Sequence, residues 1–151
     1  MIHNWQSSRI GKEYSFCAAH KLPMVDELHP CYRLHGHNYV VEIEIRGEIA
    51  PNGFCNGVDF NTIDKEMKPL IDKLDHQYMN DFIDNPTAEN IAKWFLDNIK
   101  TKIYFSVKVW ETPKCWAMVI ANEGLFKKRV SVKFAGEKSV TELVIEGEVI
   151  K

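Results

Sequence analysis

Three histidines and one cysteine carry the clearest chemical pattern in this sequence: His20, His35, His37 and Cys31. His35 and His37 stand two apart, so on a β-strand both side chains leave the same face. A third imidazole from a neighbouring strand, His20, would complete a three-nitrogen site for one cation. Three protein ligands leave a coordination position open, which marks a catalytic zinc and not a structural one. Alternation along the next residues supports the strand. His35, His37, Tyr39, Val41, Ile43 and Ile45 share one parity, while Asn38, Glu42, Glu44 and Arg46 share the other. The imidazoles therefore fall on the apolar side, where a neutral, metal-bound His is tolerated and a lone charged one is costly. Iron or copper would also suit three imidazoles. Zinc is the choice where the chemistry at such a site needs a Lewis acid without redox.

Cys31 lies four residues before His35, within loop reach of that cation. A free thiol titrates near ~8.5, and a nearby positive charge lowers that value, so Cys31 suits a general base. Cys17, Cys55 and Cys115 read as small apolar residues, with Cys55 expected at the surface of a Gly/Asn-rich turn. Asp75-His76 pairs a carboxylate with an imidazole whose tautomer it can fix, an arrangement for proton transfer. The dipeptide is common, and taken alone it is better explained by a His at a helix end beside a turn-forming Asp. Glu111 shares parity with Val107 and Val109, which sets a carboxylate on the apolar face at a strand end. Such a group needs a partner. It either reaches solvent or accepts paired donors from a ligand.

The elements that would position these groups can be read from periodicity. Glu13 to His20 reads as a strand, Lys21 to Leu34 as irregular, and Tyr39 to Glu48 as a second strand after the histidines. Pro51-Asn52-Gly53 is a turn signal. Asp59 can cap a helix with Phe60, Ile63, Met67, Leu70, Ile71 and Leu74 at helical spacing. Pro69 falls inside that pattern and is expected to kink or divide it. Thr87 caps a second helix, with Glu89 in its first turn and Ile91, Trp94, Phe95 and Ile99 as the buried stripe. Ile103 to Glu111 and Cys115 to Ala121 read as a third and a fourth strand. Strand, strand, helix, helix, strand, strand is an α+β order. Residues 125–151 form an extension in which Val130, Val132 and Phe134 alternate. Ala135-Gly136-Glu137 suggests a turn and Val140 to Ile150 a further strand, so a C-terminal β-hairpin is expected.

At 151 residues, with 45% hydrophobic and 26% charged residues, the chain fits a single domain spanning 1–151. A net charge of -2 gives no electrostatic case for nucleic acid or an anionic membrane. The four cysteines are too sparse for a disulfide scaffold, and no apolar run reaches the roughly 18 residues of a membrane span. Met1-Ile2-His3-Asn4-Trp5 has no basic start followed by an apolar run, so a cytoplasmic protein with reduced thiols is expected.

Phe16-Cys17-Ala18-Ala19-His20 followed by Cys31-Tyr32-Arg33-Leu34-His35-Gly36-His37-Asn38-Tyr39 resembles the 6-pyruvoyl-tetrahydropterin synthase superfamily. The short Cys-x-x-x-His-Gly-His gap is similar to its 6-carboxy-5,6,7,8-tetrahydropterin synthase branch, of queuosine (7-deazaguanine) biosynthesis; the gap of the pyruvoyl branch is longer. Gly57-Val58-Asp59-Phe60, Leu74-Asp75-His76, Asn85-Pro86-Thr87-Ala88-Glu89-Asn90 and Val109-Trp110-Glu111-Thr112 come after it in matching order, so the resemblance covers roughly residues 10 to 120. It implies a tunnelling fold, a four-stranded antiparallel sheet with two helices on one face, assembled as a homotrimer or homohexamer. It implies a zinc-dependent lyase that converts 7,8-dihydroneopterin triphosphate to 6-carboxy-5,6,7,8-tetrahydropterin, acetaldehyde and triphosphate. By that resemblance His20, His35 and His37 hold the zinc. Cys31, Asp75 and His76 are catalytic, Glu111 anchors the pterin ring, and Thr87 and Glu89 contact it. Lys12, Lys21, His29 and Arg33 are candidates for the triphosphate. A pyruvoyl synthase and a non-catalytic pterin-binding module are the rival readings. The second is disfavoured because metal binding alone would not need Cys31, Asp75, His76 and Glu111.

Overall fold

The structure is a computed structural model that describes residues 7–101, 103–121, 129–132 and 141–144, the last two segments as backbone only. The chain divides into two compact units, 1–121 and 122–151.

The first unit is a four-stranded antiparallel sheet in the order β1-β2-β3-β4, with two α-helices between β2 and β3. Strands β1 (Ser7–His20) and β2 (His35–Glu48) form a long ribbon that starts six residues earlier than Glu13. Its register pairs His20 with His35, Ala18 with His37 and Phe16 with Tyr39. β3 (Tyr104–Thr112) pairs with β2, and β4 (Cys115–Ile120) closes the sheet on the far side of β3. Among the described residues β1 and β4 are thus the edge strands, with β1 bridged to Tyr78 only at Ala19, near its end.

Helix α1 (Phe60–Leu74) starts where Asp59 accepts a hydrogen bond from the Thr62 amide, and buries Ile63, Met67, Ile71 and Leu74. Pro69 neither ends nor divides it. Proline removes one amide donor and crowds the carbonyl four residues back. Here both Pro69 and Lys65 lie on the exposed side, so that carbonyl is left to water. Helix α2 (Ala88–Asn98) is capped by Thr87, whose hydroxyl accepts from the Asn90 amide, and buries Ile91, Ala92 and Phe95. These apolar stripes join Phe16, Tyr39, Val41, Ile43, Ile45, Val107 and Val109 in one core. Removing that surface from water is the main stabilising contribution, about 1.5–3 kcal/mol for each large side chain.

The thiols depart from expectation. Cys55 is 3% exposed, because the Ile49–Cys55 bridge folds its turn back over the β1–β2 ribbon and brings its Sγ to the Ser8 and Ile45 carbonyls. Cys17 and Cys115 are exposed.

In the second unit, β5 (Arg129–Val132) and β6 (Thr141–Val144) pair antiparallel, with Val130 opposite Leu143, so the described part of the extension is a hairpin. The expected turn at Ala135-Gly136-Glu137, and the ends of the run to Ile150, lie outside the described residues.

Candidate active site

The end of the β1–β2 ribbon gathers the three imidazoles. Each of His20, His35 and His37 offers a ligand atom within 4.8 Å of the others. Gly36 makes this approach feasible, since a β-carbon there would lie 3.0 Å from the Ala18 carbonyl oxygen. His20 is 1% exposed, and its Nδ1–H donates to the Pro86 carbonyl at 2.8 Å. The Nδ1–H of His35 donates to the Arg33 carbonyl at 2.7 Å. Carbonyls only accept, so both rings carry their proton on Nδ1 and present a bare Nε2. Those two Nε2 atoms lie 3.0 Å apart. In the neutral rings two lone pairs face each other at that distance, a repulsion that a proton or a metal ion between them relieves, and with His37 close by the donor set fits a metal ion. Burial lowers the His20 pKa to about 4, opposed by the Pro86 carbonyl and assisted by His35 and His37. Burial, then His35, also lowers that of His37. Neutral imidazoles are the form a metal needs.

His37 opens onto a cavity of about 930 Å³ whose wall includes Cys17, Asn38, His76, Gln77, Tyr78 and Glu111. His76 stands just past the end of α1 and adopts a left-handed backbone, φ 58°, rare outside glycine. Three hydrogen bonds hold it there. Its amide donates to the Cys17 carbonyl at 2.6 Å, its Nδ1 lies 2.9 Å from Asp75 Oδ2, and Asp75 Oδ1 accepts the Cys17 amide at 2.9 Å. The Cys17 amide, then His76, holds the Asp75 carboxyl below the usual carboxylate range. With Nδ1 facing Asp75, the His76 Nε2 is the atom free to exchange a proton.

Glu111, near the end of β3, lines both this cavity and a smaller one of about 250 Å³ bounded by Leu22, Thr87, Ala88, Glu89, Cys115, Trp116 and Ala117. Burial, then the neighbouring Glu89, pushes the Glu111 carboxyl up, and His35 opposes the shift. Thr87 and Glu89 therefore stand across the smaller cavity from Glu111, although the Thr87 hydroxyl is engaged as the α2 cap. Cys31 sits in the 3-10 turn Pro30–Tyr32, tethered by its amide to His29 Nδ1 and by its carbonyl to the Leu22 amide. Its thiol and the Glu111 carboxylate both act on the Tyr39 phenol, whose pKa is raised chiefly by burial, then by Glu111 and Cys31.

Of the cations considered for a triphosphate, Lys12 is paired: its Nζ is 2.6 Å from Asp64 Oδ1, against α1. The His29 ring is held by the Cys31 amide. Sequence reasoning did not find Gln77, Tyr78 or Asn38 as cavity residues, and Tyr39 read only as core. Their periodicity carries no signal of a cavity.

An antiparallel sheet with two helices between its middle strands, and an imidazole triad at one end of its first ribbon, is the tunnelling-fold arrangement. Residues 9–122 match the 6-pyruvoyl tetrahydropterin synthase family, and the chain belongs to it. It is 36% identical over 112 residues to the 6-carboxy-5,6,7,8-tetrahydropterin synthase of Synechocystis sp., covering 68% of this chain and 85% of that protein. It is 34% identical over 102 residues to the dihydroneopterin monophosphate aldolase of Pyrococcus furiosus, covering 68% and 83%. The Caenorhabditis elegans 6-pyruvoyl tetrahydropterin synthase superposes with a TM-score of 0.66 at 26% identity, covering 77% of this chain and 96% of that one. No helix among the described residues is long and apolar enough to cross a membrane.

Proposed function

We propose that this protein is a zinc-dependent lyase that converts 7,8-dihydroneopterin triphosphate and water to 6-carboxy-5,6,7,8-tetrahydropterin, with release of acetaldehyde and triphosphate, in 7-deazaguanine biosynthesis. The observation that carries the reading is the convergence of His37, His76 and Glu111 on one cavity, with Asp75 held against the His76 ring from behind. Relatives named for this reaction at 36% and 29% identity support it, as does the short gap between Cys31 and His35.

In this reading the Glu111 carboxylate accepts from the ring amino group and the adjacent ring N–H, which fixes the pterin edge. Its position between the two cavities lets the ring lie toward Thr87 and Glu89 while the side chain reaches His37. His20, His35 and His37 would hold zinc, whose positive charge lowers the pKa of hydroxyls in its reach. Cys31 takes a proton from the first side-chain carbon. His76 returns or removes protons at Nε2, while Asp75 holds its tautomer and stabilises its cation. Each such proton transfer contributes about 10²–10⁴-fold.

The Pyrococcus furiosus relative supports a rival, an aldolase acting on a dihydroneopterin phosphate. Product masses after incubation with 7,8-dihydroneopterin triphosphate decide among the readings. Acetaldehyde in step with triphosphate is expected, read with a coupled alcohol dehydrogenase. Triphosphate with the three-carbon side chain retained would make the protein a pyruvoyl synthase. A two-carbon phosphorylated aldehyde would make it an aldolase, and no turnover with tight pterin binding would make it a binding module.

A further inference from the structure

Tyr39 is 0% exposed, and its hydroxyl has no hydrogen-bond partner. Leaving a buried donor unmade is unfavourable, whereas a phenylalanine of the same shape would leave nothing unsatisfied. The ring is fully explained by packing. It stacks on Phe16 with centroids 5.1 Å apart and meets His37 and His20 edge-on at 5.4 and 5.9 Å. The oxygen is the atom that packing does not explain.

The strand register indicates what it faces. Val40 pairs with Trp110 and Val41 with Val109. The printed pairing ends there; continued by one residue, beside the shift in β3–β4 pairing between Trp110 and Thr112, the same register would set Tyr39 opposite Glu111, and both carry the inward parity. Directly opposed residues have β-carbons about 4.5–5.5 Å apart. Glu111 is an acceptor with two oxygens and about four lone-pair positions, so it can take a protein donor and still accept two donors from a ligand.

We propose that Tyr39 is a positioning residue for Glu111: when a pterin ring binds, the Tyr39 hydroxyl donates to the Glu111 carboxylate and holds it turned toward the ring edge. This rests on the reading of Glu111 as the ring anchor. Tyr39 does not touch the ligand, because its hydroxyl has no accessible surface. The unspent donor is then the trade-off for a pre-placed clamp. It detracts from the stability of the ligand-free protein and is satisfied only in the complex.

The test is calorimetric titration with 7,8-dihydroneopterin, alongside thermal unfolding and elemental metal analysis, on the wild type, Tyr39→Phe, Glu111→Gln and the double variant. Tyr39→Phe should keep its metal, unfold no earlier than wild type and bind the pterin about tenfold more weakly. On the Glu111→Gln background the same change should cost nothing further, since the two side chains act as one unit. Unchanged affinity in Tyr39→Phe, when Glu111→Gln is weakened, overturns this proposal alone. So does a loss that persists undiminished in the double variant, or a loss of metal, which would tie the hydroxyl to the imidazoles. Equal affinity in wild type and Glu111→Gln removes the anchor itself, and the proposal falls with it.

Discussion

The Nε2 atoms of His20 and His35 face each other at 3.0 Å while both Nδ1–H groups are committed to backbone carbonyls. Strand pairing places the two residues directly opposite, and the Pro86 and Arg33 carbonyls set the tautomers. The result is a pair of converging lone pairs with His37 beside them, an arrangement that a cation would relieve.

One metal ion per chain is therefore expected. Binding at ~1,000 times its dissociation constant stabilises the folded state by about 4 kcal/mol. For a domain of this size that corresponds to a drop of roughly 10 °C in melting temperature on chelation. His35→Ala should lose most of the metal. Undiminished zinc in this variant would overturn the ligand assignment.

Cys31→Ala should fold, keep its metal and lose turnover by about 10²-fold or more, as removal of a general base does. Elemental analysis separates this from the alternative. Loss of metal would make Cys31 a fourth ligand and the site a closed, structural one.

The left-handed backbone of His76 allows its two duties to be separated. Asn tolerates that conformation and Val does not. His76→Asn should keep the wild-type melting temperature and lose turnover by about 10²-fold. His76→Val should also melt several degrees earlier. Near-normal turnover in His76→Asn would show that the imidazole carries no proton.

With Glu111 as the proposed ring anchor, pterin binding is expected to depend on pH. Its folded pKa is raised, so the folded protein retains this proton to higher pH than the unfolded chain. The stability it contributes is present at low pH and is lost as pH rises through the raised value. Binding has the opposite dependence, because only the carboxylate accepts two ring donors. Affinity should fall on the acid side at a pH above the ordinary glutamate range. Besides burial, the groups that act on Glu111 are Glu89 at the start of α2 and His35 on β2. Glu89→Gln should move the midpoint down without restoring the ordinary value, because burial is the larger cause. A midpoint that stays fixed or rises in affinity measurements across pH would contradict this account.

The edge strands β1 and β4, with Trp116, Met118 and Ile120 exposed on β4, motivate assembly into a trimer or a hexamer. Light scattering that finds a stable, active monomer would refute it.

Much of this was legible in residue order because it depends on local periodicity. Alternation at His35 to Ile45 defined the inward face of β2, and the caps Asp59 and Thr87 located both helices to within a residue. The triad was readable for the same reason, since a parity-two His pair must share a face. Where local rules misled, a distant neighbour decided the outcome. Cys55 looked like an exposed turn residue and is buried because its turn folds back on the ribbon. Lys12 looked like a free cation and is held by Asp64 from a helix fifty-two residues away. Tyr39 alternates like any core residue, and no periodicity encodes that its buried hydroxyl is left without a hydrogen-bond partner. The Asp75–His76 pair was visible as a dipeptide, but its anchorage to the Cys17 peptide was not. That anchorage joins residues fifty-eight apart, and only the packing of α1 against β1 brings them together.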